Sequence, residues 1–209
     1  MYRRPLAVTF AIVWICTATT ARSADLFDGR TLAGWEGDTE WFRVEDGCIV
    51  AGDLSRTIPH NQFLCTRSRQ ANFELTLQIK LIGPGDNAGV QFRSRRQPGT
   101  TEVIGYQADV GSAWDRPVWG GLYDESRRRE MLVWPDPDLV AETLRPDDWN
   151  RMRIIADGDR IEIYLNGVQT VDYTESDQTI DRTGVIALQI HSGPGTEAWY
   201  RNLHLKTLP

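Results

Sequence analysis

The sequence has few of the residues from which metal centres and nucleophilic active sites are commonly built. Its 209 residues include three histidines and three cysteines, and no histidines have the close spacing of ligands to a catalytic zinc. It also lacks a Gly-x-Ser-x-Gly elbow, a phosphate-binding loop and a dinucleotide-binding fingerprint. These absences argue against the common serine esterases, nucleotide-dependent enzymes and histidine-rich zinc hydrolases.

Long apolar runs are equally scarce, and the one that exists lies at the N-terminus. Arg3 and Arg4 precede an uncharged, mostly apolar stretch over 5–20, and small residues occupy the −3 and −1 positions of a cleavage site after Ser23. A stretch this short and this rich in threonine is unlike a membrane-spanning helix. We therefore predict a secretory signal peptide over residues 1–23 and a mature protein that is secreted or periplasmic.

Removal of residues 1–23 leaves residues 24–209, a length that suits a single folded domain. It also removes three arginines, which lowers the formal charge from −6 to −9. Because an acidic surface repels phosphate-rich partners, we expect no nucleic acid and no anionic membrane among its ligands. Cys48 and Cys65 could form a disulfide in an exported protein, but two buried free thiols are the preferred interpretation.

Alternation of apolar and polar residues predicts β-strands along most of the chain. Residues 73–81 alternate strictly, and two further runs, 161–165 and 168–173, flank Asn166-Gly167, which is typical of a two-residue hairpin. No segment keeps a helical period over three turns, although 138–145 could form one short helical turn. Further strands are predicted at 41–46, 47–51, 62–66, 88–94, 103–110, 149–157, 183–191 and 197–206.

Many short strands separated by turn residues indicate an all-β protein, and we predict a two-sheet antiparallel β-sandwich. The stretch from Gly111 to Arg145 departs from this pattern, since it is rich in Trp, Gly, Pro and charge. A long irregular stretch inside a compact domain is commonly a set of functional loops. Its tryptophans, Trp114, Trp119 and Trp134, favour an ordered segment.

Three of the predicted strands carry pairs of polar side chains opposite their apolar face, because side chains alternate across a strand. If these strands are neighbours in one sheet, the six side chains form a polar floor that suits a hydroxyl-rich ligand. The alternative is an ordinary solvated sheet face. The pairs are Gln91 with Arg93, Gln107 with Asp109, and Gln189 with His191.

Among the three histidines, His191 is the one placed with other candidate functional groups. His60 lies in a loop next to proline, and His204 alternates with polar residues on what reads as a plain surface face. Imidazole titrates close to neutral pH and serves as an acid or a base in many enzymes. His191 is therefore the candidate catalytic histidine, and a purely structural histidine is the alternative.

Aromatic and acidic residues near the predicted floor extend the candidate site. Aromatic rings stack on the C–H faces of sugars, so Trp114, Trp119 and Tyr123 are candidate substrate-binding residues. Asp124 and Glu125 are candidate acids for glycoside chemistry. Since adjacent residues on a strand point to opposite faces, we expect at most one of the two acids in the site.

The chain resembles the 3-keto-disaccharide hydrolase family at a series of short motifs. The first is the run from Leu26 to Trp35, with the sequence LFDGRTLAGW. The order and spacing of the motifs, taken together, are specific to this family, and the resemblance spans residues 26–208. The other matching stretches are 41–50, 73–75, 89–94, 105–109, 119–128, 149–150, 165–168 and 186–191.

The resemblance implies a concanavalin-like jelly roll in an exported protein that cleaves glycosides oxidised at C3. A ketone at C3 acidifies the C2 proton, so that a base can remove it and the enolate can expel the C1 substituent; water can then add back. Many family members have aspartate between glutamine and histidine where this chain has Ile190. Because Ile190 should face the core, we expect His191 to keep its place, although the substrate could differ.

The reaction implied by the resemblance needs a base, a stabiliser for the enolate oxygen and an acid for the leaving oxygen. A divalent cation is a possible addition, with Asp109 and Glu125 as its first candidate ligands. The implied roles are His191 as base, Arg93 with Gln107 or Gln189 as oxyanion stabilisers, and Asp109, Asp124 or Glu125 as acid or as a partner of the histidine.

A non-catalytic, lectin-like carbohydrate-binding module is the competing interpretation. The same polar floor and tryptophans would serve a protein that binds sugars without cutting them, since a fold does not decide a function. A structural interaction domain is a third possibility, in which the floor has little importance. Acid–base groups in the floor favour an enzyme over both alternatives.

Overall fold

The computed structural model describes residues 22–209, and this part of the chain consists almost entirely of β-strands. The predicted signal peptide falls largely on residues 1–21, outside the described residues. The strands are β1 (Ser23–Asp25), β2 (Trp35–Glu36), β3 (Phe42–Glu45), β4 (Cys48–Asp53), β5 (Gln62–Thr66), β6 (Phe73–Ile82), β7 (Asn87–Arg96), β8 (Val103–Ala113), β9 (Arg116–Pro117), β10 (Leu122–Glu125), β11 (Met131–Val133), β12 (Asn150–Asp157), β13 (Arg160–Leu165), β14 (Val168–Thr174), β15 (Val185–Ile190) and β16 (Thr196–Thr207).

The helix α1 spans Pro137–Thr143, close to the short helical turn predicted at 138–145. Asp136 caps its N-terminus, because the Asp136 carboxylate accepts hydrogen bonds from the backbone N–H groups of Asp138 and Leu139. The irregular segment therefore is ordered, since it also contains β9, β10 and β11. Within residues 22–209, no helix has the length and apolar character needed to cross a membrane.

The strands form two antiparallel sheets packed face to face. The first sheet has the order β14-β13-β12-β6-β16-β4-β3, with β1 also paired to β16. The second sheet has the order β11-β10-β8-β7-β15-β5-β2, with β9 beside β8. This architecture confirms the predicted all-β, two-sheet antiparallel sandwich.

The hairpin between β13 and β14 forms at Asn166-Gly167, as the sequence predicts. Both residues have positive φ, 49° for Asn166 and 94° for Gly167, which a type I′ turn requires at its two central positions. The Asn166 side-chain oxygen accepts a hydrogen bond from the backbone N–H of Arg151 at 2.8 Å. The turn is thereby attached to β12.

The core lies between the inner faces of the two sheets. In β6, the alternate residues Phe73, Leu75, Leu77 and Ile79 are buried, and the residues between them are partly exposed. Ile190 also belongs to this core, so the departure from the family pattern at that position does not reach the outer face. The alternation that predicts the strands therefore also separates the core from the outer faces.

Cys48 and Cys65 are buried free thiols, which confirms the preferred interpretation of the sequence. They lie on different sheets, in β4 and β5 respectively. Burial raises the pKa of both thiols, that of Cys65 to about 11, so they remain neutral at physiological pH. Their contribution is to packing.

Tyr200 links the two sheets at their centre. Its ring is fully buried on β16 of the first sheet, and its hydroxyl donates a hydrogen bond to the carbonyl oxygen of Gln189 at 2.6 Å. The carbonyl oxygen of Gly89 lies 3.3 Å from the same hydroxyl. Since Gln189 and Gly89 are paired on β15 and β7, this contact holds the middle of the second sheet against the first.

Replacing Tyr200 with phenylalanine should destabilise the protein without changing its fold. The change removes the hydroxyl and leaves the buried carbonyl oxygen of Gln189 without this hydrogen bond, so we expect a loss of about 1 kcal/mol in the free energy of unfolding. Urea unfolding monitored by tryptophan fluorescence would measure it. The matched control is Tyr164→Phe. The Tyr164 hydroxyl donates to Glu162 on a more exposed face, so its removal should change the free energy of unfolding by less than about 0.5 kcal/mol. Equal effects for the two variants would contradict this role.

Candidate functional site

The three strands that carry polar pairs are neighbours, because the second sheet contains the order β8-β7-β15. In this register Gln91 lies opposite Gln107, and Gly89 lies between Asp109 on β8 and Gln189 on β15. The apolar residues of the same strands face the core. The strand adjacency on which the predicted polar floor depends is therefore present.

A cavity of about 420 Å³ opens over one end of this floor. Its volume is in the range of small-molecule sites in proteins. Six of the residues predicted from the sequence line it, and Gln91 and Gln189 lie fully buried beneath it. The lining residues are Asn61, Gly85, Asn87, Gln107, Asp109, Ser112, Ala113, Trp114, Tyr123, Glu125 and His191.

A chain of buried hydrogen bonds runs through the floor and ends at Asp109. The Ser94 hydroxyl donates to Gln91 Oε1 at 2.9 Å, and Gln91 Nε2 donates to Gln107 Oε1 at 2.8 Å. Gln107 Nε2 then donates to Asp109 Oδ1 at 2.6 Å. Because each amide both accepts and donates, the orientation of one fixes that of the next, and Asp109 is held in one position.

Gly89 makes room for this chain. A Cβ atom at this position would lie 2.5 Å from the Gln107 side-chain carbonyl carbon, well inside contact distance. The Gln107 amide therefore lies directly over the backbone of β7, in the space that any other residue at position 89 would fill.

Burial changes the protonation of the two carboxyl groups in the cavity. It raises the pKa of Asp109 to about 8; the Gln107 hydrogen bond opposes the shift and the nearby Glu125 charge adds to it. Burial also raises the pKa of Glu125; the Ser126 hydrogen bond and the interaction with His191 oppose this shift, and Glu102 adds to it. Asp109 is therefore mostly protonated at neutral pH and can donate a proton.

His191 lies directly after β15 at the edge of the cavity. Its backbone N–H donates to the carbonyl oxygen of Asn87 at 3.2 Å, and its ring Nδ1 lies 2.7 Å from the carbonyl oxygen of Ser192. A carbonyl oxygen only accepts, so this contact assigns the proton of the neutral ring to Nδ1. Nε2 then keeps its lone pair on an exposed ring and can act as a base.

An aromatic rim borders the cavity. Trp114, with 61% of its surface exposed, lies 5.7 Å from the ring of Tyr123 and 5.6 Å from the ring of Trp134 between centroids. The guanidinium of Arg116 stacks over Trp134 at 4.0 Å. Burial, with the charges of Glu125 and Asp109, raises the pKa of Tyr123 to about 12, so the phenol stays neutral. The rim offers flat apolar surface next to hydrogen-bonding groups, as sugar rings require.

Arg93 does not join the floor, contrary to the sequence prediction. The pairing of β7 with β8 shifts register between Phe92 and Arg95, and Arg93 has a positive φ of 46°. This irregularity turns the side chain away from the cavity. Its donors are used by Ala71 O at 2.8 Å, Gly158 O at 2.7 Å and Asn72 Oδ1 at 3.1 Å.

Asp124 and Trp119 are also predicted from the sequence as site residues, but neither lines the cavity. Asp124 is fully buried on the face of β10 opposite Glu125 and forms ion pairs with Arg127 at 2.9 Å and Arg128 at 3.3 Å. The expectation that at most one of the adjacent acids reaches the site therefore holds, and that residue is Glu125. Trp119 packs in the hydrophobic core.

Sequence reasoning missed several polar lining residues next to His191. The Asn61 side-chain oxygen accepts from the Ser192 backbone N–H at 3.0 Å, and Asn87 Nδ2 donates to the Ser112 carbonyl oxygen at 2.9 Å. Alternation along β7 could have predicted Asn87 as a lining residue, because positions 87, 89 and 91 share one face of the strand. Asn61 precedes β5, and its sequence context carries no such signal.

Among residues 22–209, no group of three or more His, Cys, Asp and Glu side chains is arranged to hold a metal ion. Asp109 and Glu125, the two candidate ligands of a cation, have no third such partner in this part of the chain. The fit to a resident metal centre is therefore poor.

Comparison with known families assigns nearly the whole described chain to one domain. The family model of the 3-keto-disaccharide hydrolases, described as a 3-keto-alpha-glucoside-1,2-lyase-like domain, matches residues 22–206. No curated protein matches the sequence.

Several solved structures share the fold at low sequence identity. A protein from Parabacteroides distasonis, provisionally classed as a glycosyl hydrolase, has a TM-score of 0.66 and 19% identity, over 90% of this chain and 94% of its own. A carbohydrate-binding module from Bacillus subtilis has a TM-score of 0.62 and 16% identity, over 83% of this chain and 96% of its own. A Bacillus subtilis protein with a galectin-like fold has a TM-score of 0.58 and 13% identity, over 85% of this chain and 92% of its own. These likenesses show the fold.

The elevated pKa of Asp109 makes stability depend on pH. The carboxyl has a pKa of about 8 when folded and about 3.9 when unfolded. Between those values the folded protein binds one more proton, so the free energy of unfolding falls as pH rises, by up to about 1.4 kcal/mol per pH unit. Asp109→Asn removes this contribution and should lose less stability between about pH 5 and pH 8 in urea unfolding.

The control for this measurement is Asp46→Asn, at an exposed turn where asparagine tolerates the positive φ of 48°. Asp46→Asn should keep the pH dependence of the parent protein. The same pH dependence in Asp109→Asn and the parent would contradict the burial of a protonated carboxyl.

Proposed function

Because the chain belongs to the 3-keto-disaccharide hydrolase family, we propose that it cleaves glycosides whose sugar carries a ketone at C3. The observation that carries the proposal is one cavity that contains both a base and an acid. His191 offers a free Nε2, and Asp109 is a carboxyl with a pKa of about 8. A carbohydrate-binding module has no need of such a pair.

The proposed reaction starts at C2 of the sugar, whose proton is acidified by the neighbouring ketone. His191 Nε2 takes this proton, and the electron pair moves to the C3 oxygen as an enolate. The enolate re-forms the ketone while a C1=C2 double bond forms and the C1–oxygen bond breaks. The departing oxygen takes a proton from Asp109 or Glu125. Water then adds its oxygen to C1 and a proton to C2, so the net reaction is hydrolysis.

Stabilisation of the enolate oxygen falls to neutral donors and to the protonated histidine. Arg93, assigned this role from the sequence, is used elsewhere. Gln107 lines the cavity, and its Nε2 has one N–H left after the bond to Asp109. The imidazolium formed on His191 supplies positive charge at the moment the enolate forms, in a cavity whose lining has no Lys or Arg.

We propose that the sugar stacks on the aromatic rim while its hydroxyls meet the floor. Trp114 and Tyr123 border the cavity, and Asn61 and Asn87 are further hydrogen-bonding groups in its lining. The acidic chain and the acidic cavity disfavour nucleic acid as a ligand. Because a signal peptide is predicted over residues 1–23, the proposed location is the periplasm or the medium.

Carbohydrate binding without catalysis is the second candidate. The exposed aromatic rim favours it, and one structural neighbour is a carbohydrate-binding module. The two candidates differ in their dependence on His191: a binding module needs no base, so loss of the imidazole should change affinity modestly.

The first test is release of the aglycone from a 3-keto-glucoside, compared between the parent protein and His191→Ala. We expect the parent to release it and the variant to be slower by at least about a hundredfold, the usual contribution of general base catalysis. The matched control is His204→Ala, which should keep full activity. His204 is exposed on the first sheet, away from the cavity, where it is bonded to Asp25 of the paired strand β1.

A parallel reaction with a chelator tests the divalent cation, and loss of activity there would identify one. Full turnover by His191→Ala would exclude the assigned base. Binding of the sugar without release by the parent protein would favour the carbohydrate-binding module.

Reaction in deuterium oxide tests elimination followed by hydration. This route replaces the C2 proton with one from solvent, so the released 3-keto sugar should carry one deuterium at C2. Direct displacement at C1 leaves the original proton in place. Mass spectrometry and NMR of the product would distinguish them, with product incubated beside His191→Ala as the control for spontaneous exchange. Product without deuterium above that control would exclude the elimination route.

A further inference from the structure

A second cavity, of about 460 Å³, lies at the opposite end of the strands that form the polar floor. It is bordered by the end of β7, the start of β8, the segment after β10 and the loop before β15. Five guanidinium groups line it, in a chain whose formal net charge is −6. They belong to Arg69, Arg93, Arg95, Arg127 and Arg128.

The positive charge in this arginine cavity is not balanced by its acids. Two carboxylates line it, and two more, Asp124 and Glu175, form ion pairs with Arg127 and Arg128, so five arginines are set against four carboxylates. Asp177 is already engaged, since it accepts hydrogen bonds from the backbone and hydroxyl of Thr179 at 2.9 Å and 2.6 Å. Asp181 is exposed. The local excess of positive charge attracts anions, although the whole protein repels them.

Three of the five arginines have no ion-pair partner in the described part of the chain. No carboxylate of residues 22–209 lies within 4.0 Å of Arg69, Arg93 or Arg95; the ion pairs of the cavity are those of Arg127 and Arg128. The hydrogen bonds of Arg93 go to two carbonyls and an amide, none of which carries a negative charge. A buried or half-buried guanidinium is stabilised by an anion that neutralises it.

Arg127 lines the cavity and has one donor without an acceptor. Its Nε is paired with Asp124 at 2.9 Å, and its guanidinium stacks over the ring of Tyr106 at 4.5 Å. Its Nη2 is buried and has no hydrogen-bond acceptor among residues 22–209. A buried donor without an acceptor is costly, and a bound oxygen atom would remove the cost.

Further donors surround the same space. Arg69 uses one nitrogen, Nη2, to bind the carbonyl of Thr183 at 2.8 Å, which leaves the rest of its fork available. The Arg95 side chain is exposed and makes no hydrogen bond with residues 22–209. Ser126 and Thr179 add hydroxyl groups to the lining.

We propose that the arginine cavity is a binding site for an oxyanion, a carboxylate, sulfate or phosphate carried by a compact ligand. Guanidinium groups recognise such anions through paired, charge-assisted hydrogen bonds. The buried glutamines of the floor separate the site from the cavity of His191: Ser94 lines the arginine cavity and is bonded to Gln91. The site therefore serves a ligand, or an anionic part of one, other than the reacting sugar ring.

Isothermal titration of the protein with sodium sulfate, sodium phosphate and sodium glucuronate tests the site. Glucose serves as the neutral control and sodium chloride as the control for ionic strength. We expect saturable binding of at least one oxyanion and none of glucose at this site. A preference for glucuronate would point to an acidic saccharide, and equal binding of sulfate or phosphate to an inorganic ion. The absence of saturable binding for all three oxyanions would overturn the proposal.

The double variant Arg69→Gln/Arg95→Gln removes two exposed arginines from the cavity and should weaken binding about tenfold or more, the effect of losing one charge-assisted hydrogen bond. The matched control is Arg30→Gln/Arg67→Gln, which removes the same charge at exposed positions outside the cavity and should bind as the parent does. Equal weakening by both double variants would mean that general charge, and not the cavity, attracts the anion.

The titration is independent of the proposed catalysis. His191→Ala should bind the oxyanion with unchanged affinity, because His191 lines the other cavity. Loss of oxyanion binding in that variant would place the anion in the His191 cavity and contradict the assignment.

Discussion

The buried hydrogen-bond chain from Ser94 through Gln91 and Gln107 to Asp109 is the constraint on which the site depends. Polar groups removed from water must be paired, and here each amide finds its partner only in the neighbouring strand or along its own. The register between β7 and β8 therefore has to be the observed one, with glycine at position 89 to admit the Gln107 side chain. Any slip would leave several buried amides unpaired.

Burial keeps an acidic group neutral in this polar cavity, against the effect of the hydrogen-bond chain. Asp109 receives one hydrogen bond from Gln107, which alone would lower its pKa, but burial dominates and raises the pKa to about 8. Asp109 thus differs from Glu125, which has its own hydrogen bond from Ser126 and an interaction with His191 that opposes the rise of its pKa. Two carboxyls in different environments can take different parts in a proton-transfer reaction.

The second sheet carries opposite electrostatics at its two ends. One cavity contains carboxyl, amide and imidazole groups with an aromatic rim, and the other is dominated by arginine. The register shift between Phe92 and Arg95, with a positive φ at Arg93, turns this side chain away from the floor, and it lines the second cavity with four other arginines.

Much of the fold follows from the sequence alone: the strands, the hairpin at Asn166-Gly167 and the sandwich architecture, because period-two alternation and turn residues act locally and assign each side chain to a face. Alternation also predicts that Gln107, Asp109 and His191 share one polar floor, and it leaves open whether Asp124 or Glu125 lies with them. Which of these candidates meet depends on the tertiary structure. The bulge that removes Arg93, the ion pairs that occupy Asp124 and the core packing of Trp119 depend on strands distant in sequence, and so does the gathering of five arginines into one cavity. Those contacts follow from how the sheets pair and pack, which no local pattern of residues encodes.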